Sequence, residues 1–277
     1  MAGAAVTIAV GGCSLLVSTD GLASSADAAP GATDGGGADT SAGNATGSDG
    51  GSSDAAADAS DASTGPFCAS LSPKPKFCAD FDQGGTAGDY GSIFGTPSLD
   101  VSTSKSAPAS LLAIVETSAS VRGSAVQTNL SDTPTAIALS FDVFVDEYDS
   151  AHDVELVTVN YASAGNLYCD VNVAVRSNMW TVGEYCQMNG TATGVAAAHH
   201  TSSQLMRGKW THIDVTAAVV SGGALTMAVD GVKAFDGTME PGFVTGKTAI
   251  VIGIPYLQTV ATSRSKVFTD NVVYDYH

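Results

Sequence analysis

The first 65 residues contain no lysine, no arginine and no aromatic residue; the first aromatic is Phe67 and the first basic residue is Lys74. From Ser18 to Gly65 every residue except Leu22, Pro30 and Asn44 is Ala, Gly, Ser, Thr or Asp. Such a stretch has almost no large apolar surface to offset the entropy of ordering, which excludes a packed core there. Long hydrophobic runs are missing as well, since the N-terminal apolar stretch is too short to span a bilayer. Basic charge is scarce throughout, with 11 Lys and Arg against 28 Asp and Glu and a formal net charge of -17. Eight of those acids precede residue 66, so the remainder carries 20 acids against 11 bases. A surface of that sign repels phosphate backbones and anionic lipid, which excludes nucleic acid as a partner.

What is present at the N-terminus is an address. Ala2–Val10 is apolar, and Val10-Gly11-Gly12-Cys13 resembles the bacterial lipobox, in which the cysteine thiol is acylated before cleavage makes it the new N-terminus. The basic n-region of a signal peptide is missing. On this reading residues 1–12 are a lipoprotein signal peptide, Cys13 is lipidated, and 13–65 form a disordered tether with a reach of about 40 Å. Three hydrocarbon chains exceed the two-signal minimum for stable anchoring, so the membrane is a partner through lipid. Ser14 after the cysteine resembles the pattern of lipoproteins sent to the outer membrane. The expected location is therefore the outer membrane or cell surface.

Export implies an oxidising environment, so the other four cysteines are read as two disulfides. Cys68 and Cys78 enclose a Pro-rich loop that a bridge would close. The second pair follows from a hairpin. Asn166–Arg176 and Met179–Met188 read as strands around Ser177-Asn178, and a two-residue turn makes every cross-strand pair sum to 355. Cys169 then faces Cys186 at a non-hydrogen-bonded site, with Cα atoms about 4.5 Å apart. The same register sets Glu184 against Val171, a misfit expected to mean a bulge near Gly183 or a carboxylate turned into a groove.

Elsewhere the period is two. Ile137, Leu139, Phe141, Val143 and Val145 make one apolar face, and Thr211–Val215 alternates likewise. Turn residues recur between such segments, as in an antiparallel sandwich. Three stretches, Gly208-Lys-Trp-Thr-His-Ile-Asp-Val215, Gly223–Phe235 with its Asp230-Gly231 turn, and Val267-Phe-Thr-Asp-Asn-Val-Val273, resemble the concanavalin A-like, laminin G-like family. The resemblance implies an all-β jelly-roll β-sandwich over residues 66–277, one sheet of which often forms a glycan-binding or catalytic groove.

A complete catalytic pattern is not legible. Hydrolases of that family carry Glu-x-Asp-x-Glu on one strand, whereas here Glu147 and Asp149 lie in a polar run read as a loop, and Glu155 stands apart. The lyase patterns of the family are not found. His199 and His200 are adjacent and would point to opposite faces of a strand; an Ala-rich loop is expected there. Trp210 is expected in the core from the family pattern, and Trp180 from the hairpin register. Glu184 is the candidate ligand-binding acid. Asp82 and Asp270, on first and last strands expected side by side, are candidate ligands of a structural calcium, against the alternative that they cap strand ends; no cofactor is required. The leading expectation is a lipid-anchored module that contacts glycans or surface proteins without catalysis. The alternatives are a polysaccharide-active enzyme, glycosidase or lyase, expected to bring acids such as Glu116, Glu155 and Glu184 together, and a structural envelope lipoprotein.

Overall fold

The computed structural model describes residues 66–117, 123–257 and 261–277. The signal peptide, Cys13 and the tether lie outside the described residues. Fifteen strands run in chain order: β1 (Phe77–Ala79), β2 (Ser92–Phe94), β3 (Ser98–Asp100), β4 (Ser110–Val115), β5 (Ser124–Asn129), β6 (Ala136–Glu147), β7 (Val154–Ala162), β8 (Leu167–Arg176), β9 (Met179–Met188), β10 (Thr191–Gln204), β11 (Trp210–Ala218), β12 (Ala224–Val229), β13 (Val232–Thr238), β14 (Lys247–Ile254) and β15 (Ser265–Tyr276).

They form two antiparallel sheets, so the chain is an all-β sandwich. One has the order β13-β12-β11-β6-β15-β4-β3, with β1 added against β15, and the other the order β10-β9-β8-β7-β14-β5-β2. The odd residues of β6 from Ile137 to Val145 are all buried, as are Thr211, Ile213 and Val215 of β11; these faces meet the apolar face of the second sheet. Trp180, Tyr161, Phe141 and Tyr274 are among the largest fully buried side chains between the sheets. Trp210 departs from expectation. It pairs with Phe144 on the outer face of the first sheet, half-buried, because buried Thr211 takes the inward position.

Local chemistry explains the turns. Ser177 and Asn178 both have positive φ (49° and 63°), as do Asp230 and Gly231 (49° and 72°), the backbone that a two-residue primed hairpin requires. All ten β8–β9 pairs keep the register expected from the sequence, including Cys169 with Cys186 and Val171 with Glu184. Both disulfides form, with Cα–Cα distances of 5.8 Å for Cys68–Cys78 and 4.0 Å for Cys169–Cys186. First and last strands do lie side by side, Cys78 opposite Val273.

No bulge relieves the Glu184 misfit. Its side chain stays inside the sandwich with no exposed surface, accepting the Glu240 backbone N–H at 2.8 Å and bonding His199 Nε2 at 3.1 Å. His199 stacks on Phe235, ring centroids 4.6 Å apart. The histidine pair therefore sits in strand β10, not in a loop, with His200 exposed on the opposite face.

Candidate functional site

Cross-strand registers place every outward side chain of the seven-stranded sheet on a grid. One row runs Ala198, Gly183, Asn172, Thr158, Val251, Gln127, Ser92 across all seven strands. The next runs Ala196, Tyr185, Asp170, Asn160, Ala249, Asn129. On the other side lie His200, Thr181, Ala174 and Glu155. This face turns away from the core, yet Thr158, Thr181, Ala174 and Val251 on it are buried and Glu155, Asn160, Asp170, Asn172 and Tyr185 half-buried. An open flat sheet would leave them in water; here the face is recessed. Part of the wall is segment 255–257, held beside Glu155 by a Glu155 N–H bond to the Tyr256 carbonyl (3.3 Å) and by a Val154–Leu257 bridge.

A bulge in β7 creates the site. The pairing with β8 slips between Glu155 and Val157, so Leu156 and Val157 are both buried and strand parity resets. Without the extra residue Glu155 would share the inward face of Val157, Val159 and Tyr161. With it, Glu155 faces outward on the same side as Thr158, whose hydroxyl donates to Glu155 Oε2 (3.1 Å). On β8, opposite Thr158, Asn172 Nδ2 donates to Asp170 Oδ1 (3.0 Å). The two acids thus face each other across a Thr158–Asn172 pair. Gly183 makes room for this arrangement, since a Cβ there would lie 2.5 Å from Asn172 Oδ1.

The environment keeps both acids protonated above the usual carboxylate range. Burial raises the Glu155 pKa, and the charge on Asp170 raises it further; burial alone raises Asp170, with the Asn172 bond opposing. Both residues are half-buried, and the protein around each carboxyl leaves it too little hydrated to ionise freely. Tyr185, the cross-strand partner of Asp170, is raised by burial first, then by Asp170 and Tyr256. The charge on Asp170 disfavours that on Glu155, so the two acids titrate as a pair and not independently. That is the electronic condition for a donor and an acceptor of protons side by side.

The other expected acids are elsewhere. Glu184 is inside the sandwich, and Glu116 is exposed and paired to Arg264 (3.1 Å), which also holds Glu147 (3.0 Å). Asp149 is a buried clamp that accepts N–H bonds from Ala151, Thr262 and Ser263. Asp170 and Tyr185 were not singled out from sequence, although the hairpin register already put them opposite each other on the polar side.

Asp82 and Asp270 do come together, near Ser106. Asp270 Oδ2 accepts the Lys105 and Ser106 N–H groups (2.9 and 3.0 Å), its Oδ1 accepts Asn271 N–H (2.8 Å), and Asp82 Oδ1 accepts Ala109 N–H (3.3 Å). Among the described residues no group of three or more His, Cys, Asp or Glu side chains is placed to hold a metal ion. The Ser106 hydroxyl lies between them, within hydrogen-bonding distance of Asp82 Oδ2 (3.3 Å) and of Asp270 (3.4 Å). The two acids hold the 105–109 segment onto β15.

No protein-family model matches this chain, and no curated protein matches it. Solved structures do. An endo-beta-1,4-glucuronan lyase from the fungus Trichoderma reesei superposes with a TM-score of 0.57 at 13% identity, covering 73% of this chain and 96% of that one. A marine alginate lyase from Aplysia kurodai does so with a TM-score of 0.53 at 11% identity, covering 73% and 99%. At such identities the likeness is one of fold. It nevertheless corrects the leading expectation: these two neighbours are polysaccharide lyases, which tells against a non-catalytic module and favours the polysaccharide-active alternative.

Proposed function

We propose that the protein is a polysaccharide-active enzyme that cleaves glycosidic bonds on the recessed outer face of its seven-stranded sheet. The observation that carries this reading is the Glu155–Asp170 pair, held apart by Thr158 and Asn172 with Tyr185 beside it. Glycosidic cleavage needs one group to protonate the leaving oxygen and another to take a proton, from water in hydrolysis or from the sugar carbon next to a carboxylate in elimination. Two carboxyls raised above the usual range, one ionised while the other stays protonated, supply both. Asn160, Asn172 and Gln127 offer amide donors and acceptors to sugar hydroxyls or a uronate carboxylate. The lyase neighbours support elimination on a uronic-acid polymer. We place this enzyme outside the cell, tethered through an acylated Cys13.

The test is a panel of soluble polymers, glucuronan and alginate beside neutral glucans, read for new reducing ends and for the ultraviolet absorbance of an unsaturated product. Cleavage of one polymer, lost about a hundredfold or more in Glu155→Gln and Asp170→Asn, is the expected result. Variants with full activity would remove the acid pair from the chemistry.

A further inference from the structure

Beyond Glu155 the sheet continues as a track. On one side of that acid the outer row is Ala174, Thr181 and His200; on the other Tyr256 lies opposite Glu155, and nearby β14 and β5 present Gly253 opposite Ala125, with Phe94 of β2 opposite Ala125 in turn. Ala174, Thr181, Gly253 and Ala125 are buried and small, so the row is a low floor between taller neighbours. It ends at an aromatic ring. Phe94 is 47% exposed on the groove side of the edge strand, while its neighbour Ile93 takes the opposite face beside Val126.

The strand bearing that ring is seated closely. Gly91 and Gly95 bracket β2, both at positive φ, and a Cβ on either would come within 2.2 Å of a backbone oxygen, that of Gln127 or of Gly123. Any side chain there would push β2 off β5 and move the ring. Gln127, with Ser92 opposite, and Asn129 supply polar neighbours to the same end of the sheet. A flat apolar face bordered by amides and a hydroxyl fits a pyranose ring, whose axial hydrogens stack on aromatics while its hydroxyls bond to amides.

We propose that Phe94 is a sugar-stacking subsite at the end of a groove running across the strands, so that an extended polysaccharide lies over Glu155 and is cut within its chain. This rests on the reading of the sheet as the glycan-cleaving face. Three strand spacings, about 14 Å, separate β2 from the β7 strand of Glu155, and each spacing of about 4.8 Å is close to the length of one sugar unit. The subsite therefore holds a unit about three positions from the bond broken, and the floor running on past Glu155 to Ala174, Thr181 and His200 lets the polymer extend to both sides of the cut.

Affinity electrophoresis separates the two claims. The full chain and its Glu155→Gln form are run through native gels cast with glucuronan, alginate or hydroxyethyl cellulose, together with Phe94→Ala, Phe94→Trp and Ile93→Ala in the Glu155→Gln background. The expected result is retardation by one polymer, weakened about tenfold by Phe94→Ala, kept by Phe94→Trp and unchanged by Ile93→Ala. Thermal melts of each variant report whether a loss of binding is a loss of fold. Retardation that Phe94→Ala leaves unchanged overturns the subsite and spares the enzyme reading. No retardation of the full chain by any polymer overturns both.

Discussion

Removing the Cys169–Cys186 bridge tests the hairpin and the site together. The bond closes a sequence separation of 17 residues between strands whose next cross-strand pair is Asp170–Tyr185. Chain-entropy arguments give about 3 kcal/mol for a loop of that length, lost when both cysteines become alanine. Both sulfurs are buried, so truncation adds a small packing loss of about 1 kcal/mol. For a domain of this size each kcal/mol moves the melting temperature by about 2–4 °C, so Cys169→Ala/Cys186→Ala should melt about 10 °C lower. The Cys68–Cys78 bridge closes a shorter separation of 10 residues at the half-buried start of the domain. The same relation gives about 2.7 kcal/mol for its removal, without the packing loss of the fully buried pair. Urea denaturation followed by tryptophan fluorescence reads both, since Trp180 pairs with Val175 in the same hairpin. A Cys169/Cys186 variant within about 1 kcal/mol of the parent, or a larger loss at Cys68/Cys78, would refute the reasoning. Polymer binding in the same variant should weaken even where the fold persists, because Asp170 and Tyr185 lose their covalent neighbour.

Three further outcomes are expected. Burial raises the pKa of Glu155, so the folded state favours its protonated form: that stability is full below the ordinary carboxylate pKa and lost as pH rises through the raised one. Glu155→Gln should therefore raise the melting temperature at pH 9 and leave it nearly unchanged at pH 4, and an equal shift at both would show the group to be unperturbed. His212 is raised by its bond to Asp142 (3.1 Å) and by Asp214 (3.3 Å), so its stabilisation is present below the unfolded pKa of about 6.5 and lost as pH rises through the folded value. His212→Asn should cost less than about 1 kcal/mol, the size of a screened surface pair, at pH 5.5 and nothing at pH 9; pH-independent urea curves would contradict this. For the N-terminus, mass spectrometry of the membrane fraction should find Cys13 as an acylated first residue, and an unmodified Met1 would dispose of the anchor.

Much of the scaffold was legible because it follows from period and register. Alternation from Ile137 to Val145 marks an inward face, and a two-residue turn at Ser177-Asn178 fixes ten pairs and a disulfide by arithmetic. The site was not legible, for a local reason. Strand parity assigns Glu155 to the core, and only the extra residue at Leu156 turns it outward; no residue in Val-Glu-Leu-Val-Thr announces a bulge. The pairing of β7 with β8, which brings Glu155 near Asp170, depends on a connection containing the short turn at 164–166 and has no turn rule as simple as the hairpin's. Glu184 misled for the opposite reason. It breaks the apolar pattern, as a groove acid would, but His199 and the Glu240 amide satisfy it inside. Trp210 shows the same limit, since its strand was identified and its face was not.

The pairing of β1 with β15 bears on how the domain carries load. Chain entering at Pro66 meets the Cys68–Cys78 bridge and then β1, which bonds laterally to β15, a strand already held by β6 on its other side and by β4 farther along the same edge. Tension applied from the N-terminal side is passed into a strand in the middle of the sheet and shared as shear among its neighbours. The seven-stranded sheet with its acids is left out of that path, so tension of this kind leaves its outer face undistorted.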